Sequence, residues 1–262
     1  MLNFLLSKKA IKSITQAVSA VFHRARKRFL NTPVEEKSIR FGIILPQRAV
    51  EHREDLSLEG VFNESAKAEG MSPNKKLYES VESGVSDLLE AHEKLAVARV
   101  LNSVQSYLHN SDLGSATANP EKELGKVLQE NFEKVTSDVA KVIDTESNKA
   151  KNISTLDAIS KINLTLGVDD PVVFFAGPVD GHICKNCLKL YFLDDQVTPR
   201  VWKSSELKAG YFKKGDATPC IGSLHPNCRH ALCSVLLGYG FDKSGKLAFI
   251  EPGFDVWASQ RK

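Results

Sequence analysis

The chain has 262 residues, of which 42% are hydrophobic, and a formal net charge of +3. This hydrophobic content is close to that of globular proteins, so we expect one large or two ordinary domains. The small net charge argues against a protein that binds polyanions over its whole surface. All five cysteines lie beyond residue 183, and their odd number disfavours a disulfide framework and favours reduced thiols.

Residues 1–30 predict a basic amphipathic helix. Apolar residues recur at three- and four-residue steps from Ile11 to Phe29, beside a face with seven basic residues and no acid. No apolar run approaches the roughly 20 residues that span a bilayer, so we expect no transmembrane segment. We expect the helix to dock on the protein's own core or on a partner, with DNA, a membrane surface or a transit peptide as alternatives.

Residues 31–75 predict a connecting arm. Pro33 ends the first helix, because proline disfavours helical geometry in the residue before it. A short β-like run, Phe41–Leu45, is followed by a charged stretch and by Gly, Pro and Asn punctuation. The apolar pattern is too sparse for an independent core, and wrapping along a neighbouring subunit is one use for such an arm.

Residues 76–168 predict a helical domain. A first amphipathic helix is expected to extend to Leu108, and Pro120 is expected to open a second helix. The second helix has its apolar residues at helical steps over Leu124–Ile143. Asn152–Ile162 is either a third helix or a continuation of the second.

Residues 169–262 predict a small β-rich module. Short runs rich in β-branched and aromatic residues are separated by turn residues. These runs are Val172–Phe175, Lys189–Phe192, Arg200–Trp202 and Lys246–Ile250. Asp242–Gly245 predicts a hairpin turn with glycine at a left-handed position. The predicted fold class is therefore α+β: an N-terminal helix and extended arm, a helical middle region and a β-rich module.

Two clusters of cysteine and histidine predict a structural zinc site that clips this module. They are Cys184-Lys-Asn-Cys187 and His225-Pro-Asn-Cys228-Arg-His230. Zn²⁺ prefers four thiolate or imidazole ligands in a tetrahedron, and two close pairs separated by a loop commonly supply them. Binding would close a loop of roughly 40 residues, which would stabilise a module with a weak core.

Cys184, Cys187 and Cys228 are the firm members of the predicted ligand set. His225 is favoured as the fourth ligand, because the intervening proline fixes one φ angle of a turn that holds His225 three residues from Cys228. His230 is the rival, since on an extended strand it projects from the same face as Cys228. Cys220 fits least well, and Cys233 is expected to be a small buried apolar residue.

Three short pieces in this order along the chain suggest a family. They are Thr145-Glu146 with Ala150 and Asn152 on a helix, then Asp180-Gly-His-Ile-Cys184-Lys-Asn-Cys187, then His225-Pro-Asn-Cys228-Arg-His230. Together they resemble the head morphogenesis (minor head protein, Mu F-like) family of tailed bacteriophages, over roughly residues 75–235. This chain departs from the family pattern at Asp144, where the family has arginine, and at His230, where the family's third motif ends in cysteine.

The resemblance implies a virion component: a structural, minor capsid protein that acts in head assembly, with DNA packaging or ejection as further roles. The implied partners are the portal and the major capsid protein, and phage DNA is a further partner for the basic N-terminal helix. The implied location is the capsid interior or portal vertex, after assembly in the host cytoplasm.

Two other functions compete with this one. The alternative is a nucleic-acid-binding zinc module whose lysines and arginines contact phosphates, although interspersed acids favour a solvated face. The third is a zinc-dependent nuclease or hydrolase, with a base from His182, His225 or His230 oriented by Asp180. The sequence contains no nucleophile elbow, no phosphate-binding glycine loop and no His-Glu-x-x-His pattern, so we do not expect an enzyme.

Overall fold

The computed structural model describes residues 8–30, 57–112, 120–225 and 228–261. Its helices are α1 (Lys8–Phe29), α2 (Leu58–Ala68), α3 (Lys75–Asp112), α4 (Pro120–Thr165), α5 (Lys185–Tyr191) and α6 (Val256–Ser259). Its strands are β1 (Val172–Ala176), β2 (Val201–Lys203), β3 (Ala231–Val235), β4 (Tyr239–Phe241) and β5 (Leu247–Phe249). The chain is thus α+β, with long helices and small antiparallel sheets.

The described elements fall into two compact units. The first contains α1, α3 from residue 82 onward and α4 as far as residue 143. The second contains α2, the first turns of α3, the rest of α4 and all the strands. The helical region predicted over 76–168 therefore contributes to both units.

In the first unit, α1 buries its apolar side. The buried residues are Ile14, Ala17, Val18, Val21, Phe22, Ala25 and Phe29, and their spacing is the helical spacing that the sequence predicted. An ion pair of 3.0 Å joins Arg26 to Glu93 of α3, and Arg99 of α3 pairs with Asp138 of α4. The apolar stripe of α1 is thus occupied within the protein, which leaves its basic side exposed.

The second unit corrects part of the predicted connecting arm. Residues 58–68 form a helix whose Leu58, Val61, Phe62 and Ala66 are buried, at three- and four-residue steps. The Ser154 hydroxyl of α4 donates to the Phe62 carbonyl at 2.6 Å. The short segment contains too few apolar residues to predict a core, but its helix packs into a core that distant segments supply. The rest of the predicted arm up to residue 56, including the β-like run Phe41–Leu45, lies outside the described residues.

The sheets agree with most of the predicted strands. The larger sheet has the antiparallel order β2-β1-β3, and β4 and β5 form a separate hairpin. Gly245 in the hairpin turn has φ of 75°, the left-handed value that the turn predicted. Three of the four predicted strand runs are confirmed as β1, β2 and β5, and Asn152–Ile162 is a continuation of α4.

The predicted strand Lys189–Phe192 is wrong, because residues 185–191 form α5. Cys184 is the N-cap of this helix, and its sulfur accepts a hydrogen bond from the Cys187 N–H at 3.3 Å. Cys187, Leu190 and Tyr191 are buried, at the i, i+3 and i+4 positions of a helix. A short apolar run has the same appearance in a buried strand and a buried helix, and here the cap selects the helix.

Candidate metal centre

The predicted ligands lie where loops enter regular structure in the second unit. Cys184 and Cys187 occupy the cap and first turn of α5. His225 and Cys228 lie in the loop before β3, where the Cys228 N–H donates to the His225 carbonyl at 3.2 Å. His230 directly precedes β3. Helix α5 and strand β3 therefore set the positions of the two clusters.

The side chains of these residues form two overlapping groups that could each hold a metal ion. Cys184, Cys187 and His225 form one group, and Cys187, Cys228 and His230 form the other, with ligand atoms within 4.8 Å of one another. Among the described residues, Cys220 and Cys233 belong to neither group. All four predicted ligands and the rival histidine are thus brought together, with Cys187 common to both groups.

The distance between the two central sulfurs suits a shared tetrahedral ion. Cys187 Sγ lies 3.8 Å from Cys228 Sγ and 3.1 Å from His225 Nε2. Zinc with Zn–S bonds of about 2.3 Å places two tetrahedral sulfurs about 3.8 Å apart. The two sulfurs therefore need little movement to share an ion.

The two histidines differ in their surroundings. His230 is buried, its Nδ1 lies 3.8 Å from Cys228 Sγ, and its Nε2 has no hydrogen-bond partner among the described residues. A histidine that ligates a metal usually donates its second ring N–H to an acceptor, which fixes the tautomer. His230 lacks that bond within the described residues, and both histidines lie within reach of the Cys187 sulfur.

The thiols of Cys187 and Cys228 share a proton unequally. A hydrogen bond from Cys187, together with the neighbouring His230, lowers the pKa of Cys228 despite its burial. The same interaction, together with burial, raises the pKa of Cys187. A divalent cation would displace the Cys187 proton and compensate both buried negative charges, because thiolates are the metal-binding form of cysteine.

An apolar shell surrounds the two sulfurs. Cys187 and Cys228 belong to a buried cluster that includes Leu190 and Trp202. Tyr191 stacks on Phe175 at 4.3 Å between ring centroids, and its other neighbour is the His230 ring at 5.0 Å. Burial raises the pKa of the Tyr191 hydroxyl. Such a closed environment is typical of structural metal sites, whereas catalytic sites keep a position open to water.

An exposed ion pair ties the two ligand loops together. Arg229 donates two hydrogen bonds to Asp180, at 2.8 and 2.6 Å, and the His182 N–H donates to the same carboxylate at 2.9 Å. These hydrogen bonds, that of Arg229 foremost, hold the pKa of Asp180 well below its usual range. The Asp180 carboxylate is therefore bound by the Arg229 side chain and by the backbone of its own turn.

Helix α4 holds the loops from the other side. Asn148 donates to the Cys228 carbonyl at 2.9 Å, while Asn152 donates to the Ile221 carbonyl and accepts from the Leu232 N–H. Glu146 is only 1% exposed and accepts hydrogen bonds from Tyr211 and Lys149 at 2.6 and 3.2 Å. The sequence singled out Glu146 and Asn152 but gave no signal for Tyr211, which lies 65 residues from Glu146.

The chain matches no protein-family model, no curated protein and no solved structure. Among the helices that the structure describes, none is both long and apolar enough to cross a membrane.

The shared position of Cys187 predicts that its removal abolishes metal binding. We expect one zinc ion per chain in the wild type and in Cys233→Ser, and none in Cys187→Ser, by elemental analysis of the purified full chain. The second unit should lose stability on the order of 10 kcal/mol in Cys187→Ser, as structural zinc supplies in small domains. Cys233 is the matched control, because it is a cysteine of the same unit outside both groups. Full zinc binding by Cys187→Ser would contradict the site.

The packing of His230 against Gly177 yields a second prediction. A Cβ on Gly177 would lie 2.5 Å from His230 Cδ2 and 2.7 Å from Cγ, so the rigid ring would have to move. We expect Gly177→Ala to cost about 1–3 kcal/mol in urea denaturation of the zinc-loaded chain. Gly181→Ala is the control, because its Cβ would meet no atom within 4 Å. Equal urea midpoints for the two variants would show that Gly177 does not fix the ring.

Proposed function

We propose that this chain is a minor head protein of a tailed bacteriophage, a structural protein that binds zinc and acts in head assembly at or near the portal. One observation carries the proposal: the three separate sequence pieces meet in a single unit. Glu146 and Asn152 of α4 lie behind the loops, and the two ligand clusters converge on Cys187. The three pieces whose order in the sequence suggested the family thus lie together in one unit of the structure.

In this proposal zinc is held by Cys184, Cys187, Cys228 and His225 and has a structural role. The ion joins the start of α5 to the loop before β3, two segments about 40 residues apart in the chain. The apolar shell around Cys187 and Cys228 supports this role, because it keeps water from the metal.

The geometry offers little support for a hydrolytic enzyme. Such an enzyme would use Asp180 to orient a histidine base. The Asp180 carboxylate instead accepts hydrogen bonds from the Arg229 guanidinium and from the His182 backbone N–H. We therefore propose a structural and interaction function, with the portal and major capsid protein as its partners and the virion as its location.

We expect the chain to be part of the particle. Tailed particles induced from the strain that encodes it should contain the chain after gradient purification, as measured by quantitative mass spectrometry. Because zinc holds the second unit together, Cys187→Ser should be lost from particles while Cys233→Ser is incorporated at the wild-type level. Purified particles that lack the wild-type chain would contradict the proposal.

A second candidate function, contact with phage DNA, is favoured by the exposed side of α1. This side carries basic residues and a histidine and no acidic residue: Lys8, Lys9, Lys12, His23, Arg24, Lys27 and Arg28 are all exposed. The apolar side of the same helix is buried, so α1 presents its charge in a fixed orientation. Lysines and arginines arranged in this way bind phosphates without reading base sequence.

Charge reversal tests this DNA contact. In Arg24→Glu/Lys27→Glu/Arg28→Glu, we expect weaker binding of duplex DNA and a slope of log affinity against log salt reduced by about 2–3. The matched control is Lys185→Glu/Lys213→Glu/Lys214→Glu, three exposed lysines of the second unit. Loss of binding only in the control would assign the DNA contact to the zinc module instead. Salt-independent binding by the wild type would contradict both.

A further inference from the structure

Helix α5 forms one wall of an open cleft in the second unit. The cleft has a volume of about 460 Å³, and Lys185, Leu188 and Lys189 of α5 line it. Their i, i+3 and i+4 spacing places them on one face of the helix. Cys187 and Tyr191, on the other side of α5, are buried. The cleft is therefore built on a helix that the core holds in place.

The cleft has an excess of positive charge. Lys185, Lys189 and Arg200 line it, and Asp194 is the one acidic residue in its lining. Both lysines are exposed, and within the described chain neither forms an ion pair. The Asp194 carboxylate is fully exposed and lies 3.9 Å from Arg200, so it neutralises little of this charge. A concave surface with one sign of charge attracts ligands of the opposite sign, so the cleft suits an anionic group.

Arg200 is held in a fixed position in this lining. Its backbone N–H donates to the Tyr191 carbonyl at 2.9 Å, and its Nε–H donates to the Phe192 carbonyl at 3.2 Å. The side chain is still 25% exposed, so the rest of the guanidinium is accessible from the cleft. A guanidinium that is already positioned loses less side-chain entropy when it binds a carboxylate.

A second cavity adjoins this cleft and has a different character. Phe192 and Gln196 line both cavities. The second cavity has a volume of about 390 Å³, and none of the residues that line it is charged. Val179 and Val197 in its lining are 47% and 45% exposed. A ligand that spans the two cavities would therefore meet cations in one half and apolar side chains in the other.

Gln196, which separates the two cavities, has a strained backbone conformation. Its φ is 58°, and no other non-glycine residue in the described chain has a positive φ. The Asp195 carboxylate holds the turn by accepting hydrogen bonds from the N–H groups of Val197 and Thr198, at 2.9 and 2.8 Å. Glycine would adopt this φ at lower cost, so the strain points to a use for the side chain. The exposed amide of Gln196 can both donate to and accept from a peptide backbone.

We propose that the two cavities bind one extended peptide segment of a partner protein, in which acidic residues lie next to a large apolar residue. The acidic side chains pair with Lys185, Lys189 and Arg200, and the apolar side chain enters the second cavity. Gln196 lies between these contacts and binds the peptide backbone. This binding goes beyond the head-assembly role proposed above, and it uses residues of the second unit alone.

The lining of the cavities favours a peptide over a nucleic acid. Single-stranded nucleic acids bind by stacking their bases on exposed aromatic rings. The aromatic residues in the cationic cleft, Phe192 and Trp202, are only 4% and 6% exposed. The Arg261 guanidinium also lies 5.3 Å from the centre of the Trp202 ring. A phosphate backbone would gain nothing from the uncharged second cavity, whereas an acidic peptide with an apolar residue matches both halves.

Selection from a random peptide library tests this proposal without assuming a partner. The library is displayed on messenger RNA and selected on the purified full-length chain in a buffer that contains zinc. We expect the enriched peptides to combine at least two acidic residues with a large apolar residue, and their synthetic forms to bind in fluorescence anisotropy. A selection that enriches no such peptide would overturn the proposal.

Charge reversal on α5 locates the binding site. In Lys185→Glu/Lys189→Glu we expect the Kd of the best selected peptide to rise at least about tenfold, because two of the three cations become anions. The matched control is Lys213→Glu/Lys214→Glu, which reverses two exposed lysines of the same unit that line neither cavity. The control should bind the peptide as the wild type does. An equal loss of affinity in both variants would show attraction to net charge alone and would overturn the site.

The variant Gln196→Gly separates loss of binding from loss of folding. Glycine suits the positive φ at this position, so we expect the urea midpoint of the variant to equal or exceed that of the wild type. The Kd of the selected peptide should rise by about threefold or more, because the side-chain amide is gone. A Kd that stays at the wild-type value in this variant would overturn the binding mode, whatever the lysine variant shows.

Competition distinguishes the two kinds of ligand. We expect a single-stranded DNA oligonucleotide to displace the selected peptide poorly. An oligonucleotide that binds the cleft more tightly than every selected peptide would assign the site to nucleic acid and would overturn the proposal. These measurements are independent of the particle experiment: a chain that is present in particles but selects no acidic peptide would overturn this inference alone.

Discussion

The second unit depends on the convergence of two loops at the Cys187 sulfur. This atom lies within reach of Cys184 and His225 on one side and of Cys228 and His230 on the other. The hydrogen bond between the two central thiols lowers the pKa of Cys228 and raises that of Cys187. The loops that meet there are otherwise joined by an exposed ion pair, whose worth in water is small. The buried Cys/His cluster is therefore the stronger constraint on how α5 lies relative to β3.

The long helix α4 supplies the rest of that constraint. Its amides bind backbone groups in the loops: Asn148 binds the Cys228 carbonyl, and Asn152 binds both Ile221 and Leu232. An unpaired buried amide or carbonyl costs free energy, so each bond is specific for one position of the loop. The helix thus fixes the backbone of the metal loops, and the thiols and imidazoles fix their side chains.

The sequence predicted what local patterns control. The amphipathic stripes of α1, α3 and α4, the strands β1, β2 and β5 and the turn at Gly245 all follow from periodicity or from glycine geometry. The spacing of the cysteines and histidines within each cluster is also local, and it predicted which of these side chains the structure brings together. Helix α2 was not predicted, because segments far away in the chain bury its few apolar residues. Ser154, for example, donates a hydrogen bond to the α2 backbone. Likewise, α5 was predicted to be a strand because its N-cap hydrogen bond is accepted by the Cys184 sulfur, and cysteine is not among the residues that usually cap a helix.

Long-range polar contacts could not be predicted for the same reason. Tyr211 and Glu146 are 65 residues apart, and neither residue type predicts a contact with the other. The capping of the edges of the larger sheet could not be predicted either, because it depends on Gln260 and Asn152, which reach β2 and β3 from distant parts of the chain.

The division into two units has a consequence for synthesis on the ribosome. The first unit contains α1 and is complete once residue 143 has emerged, before any cysteine of the chain has been translated. At roughly 5–20 residues per second, α1 waits on the order of ten seconds for the last helix it packs with. During that interval its apolar stripe is uncovered beside a cationic face, the form in which such helices bind membranes and chaperones. Helix α2 waits longer, since its unit continues to the C-terminal region. The order of translation therefore lets the helical unit form before the Cys/His groups of the second unit are made.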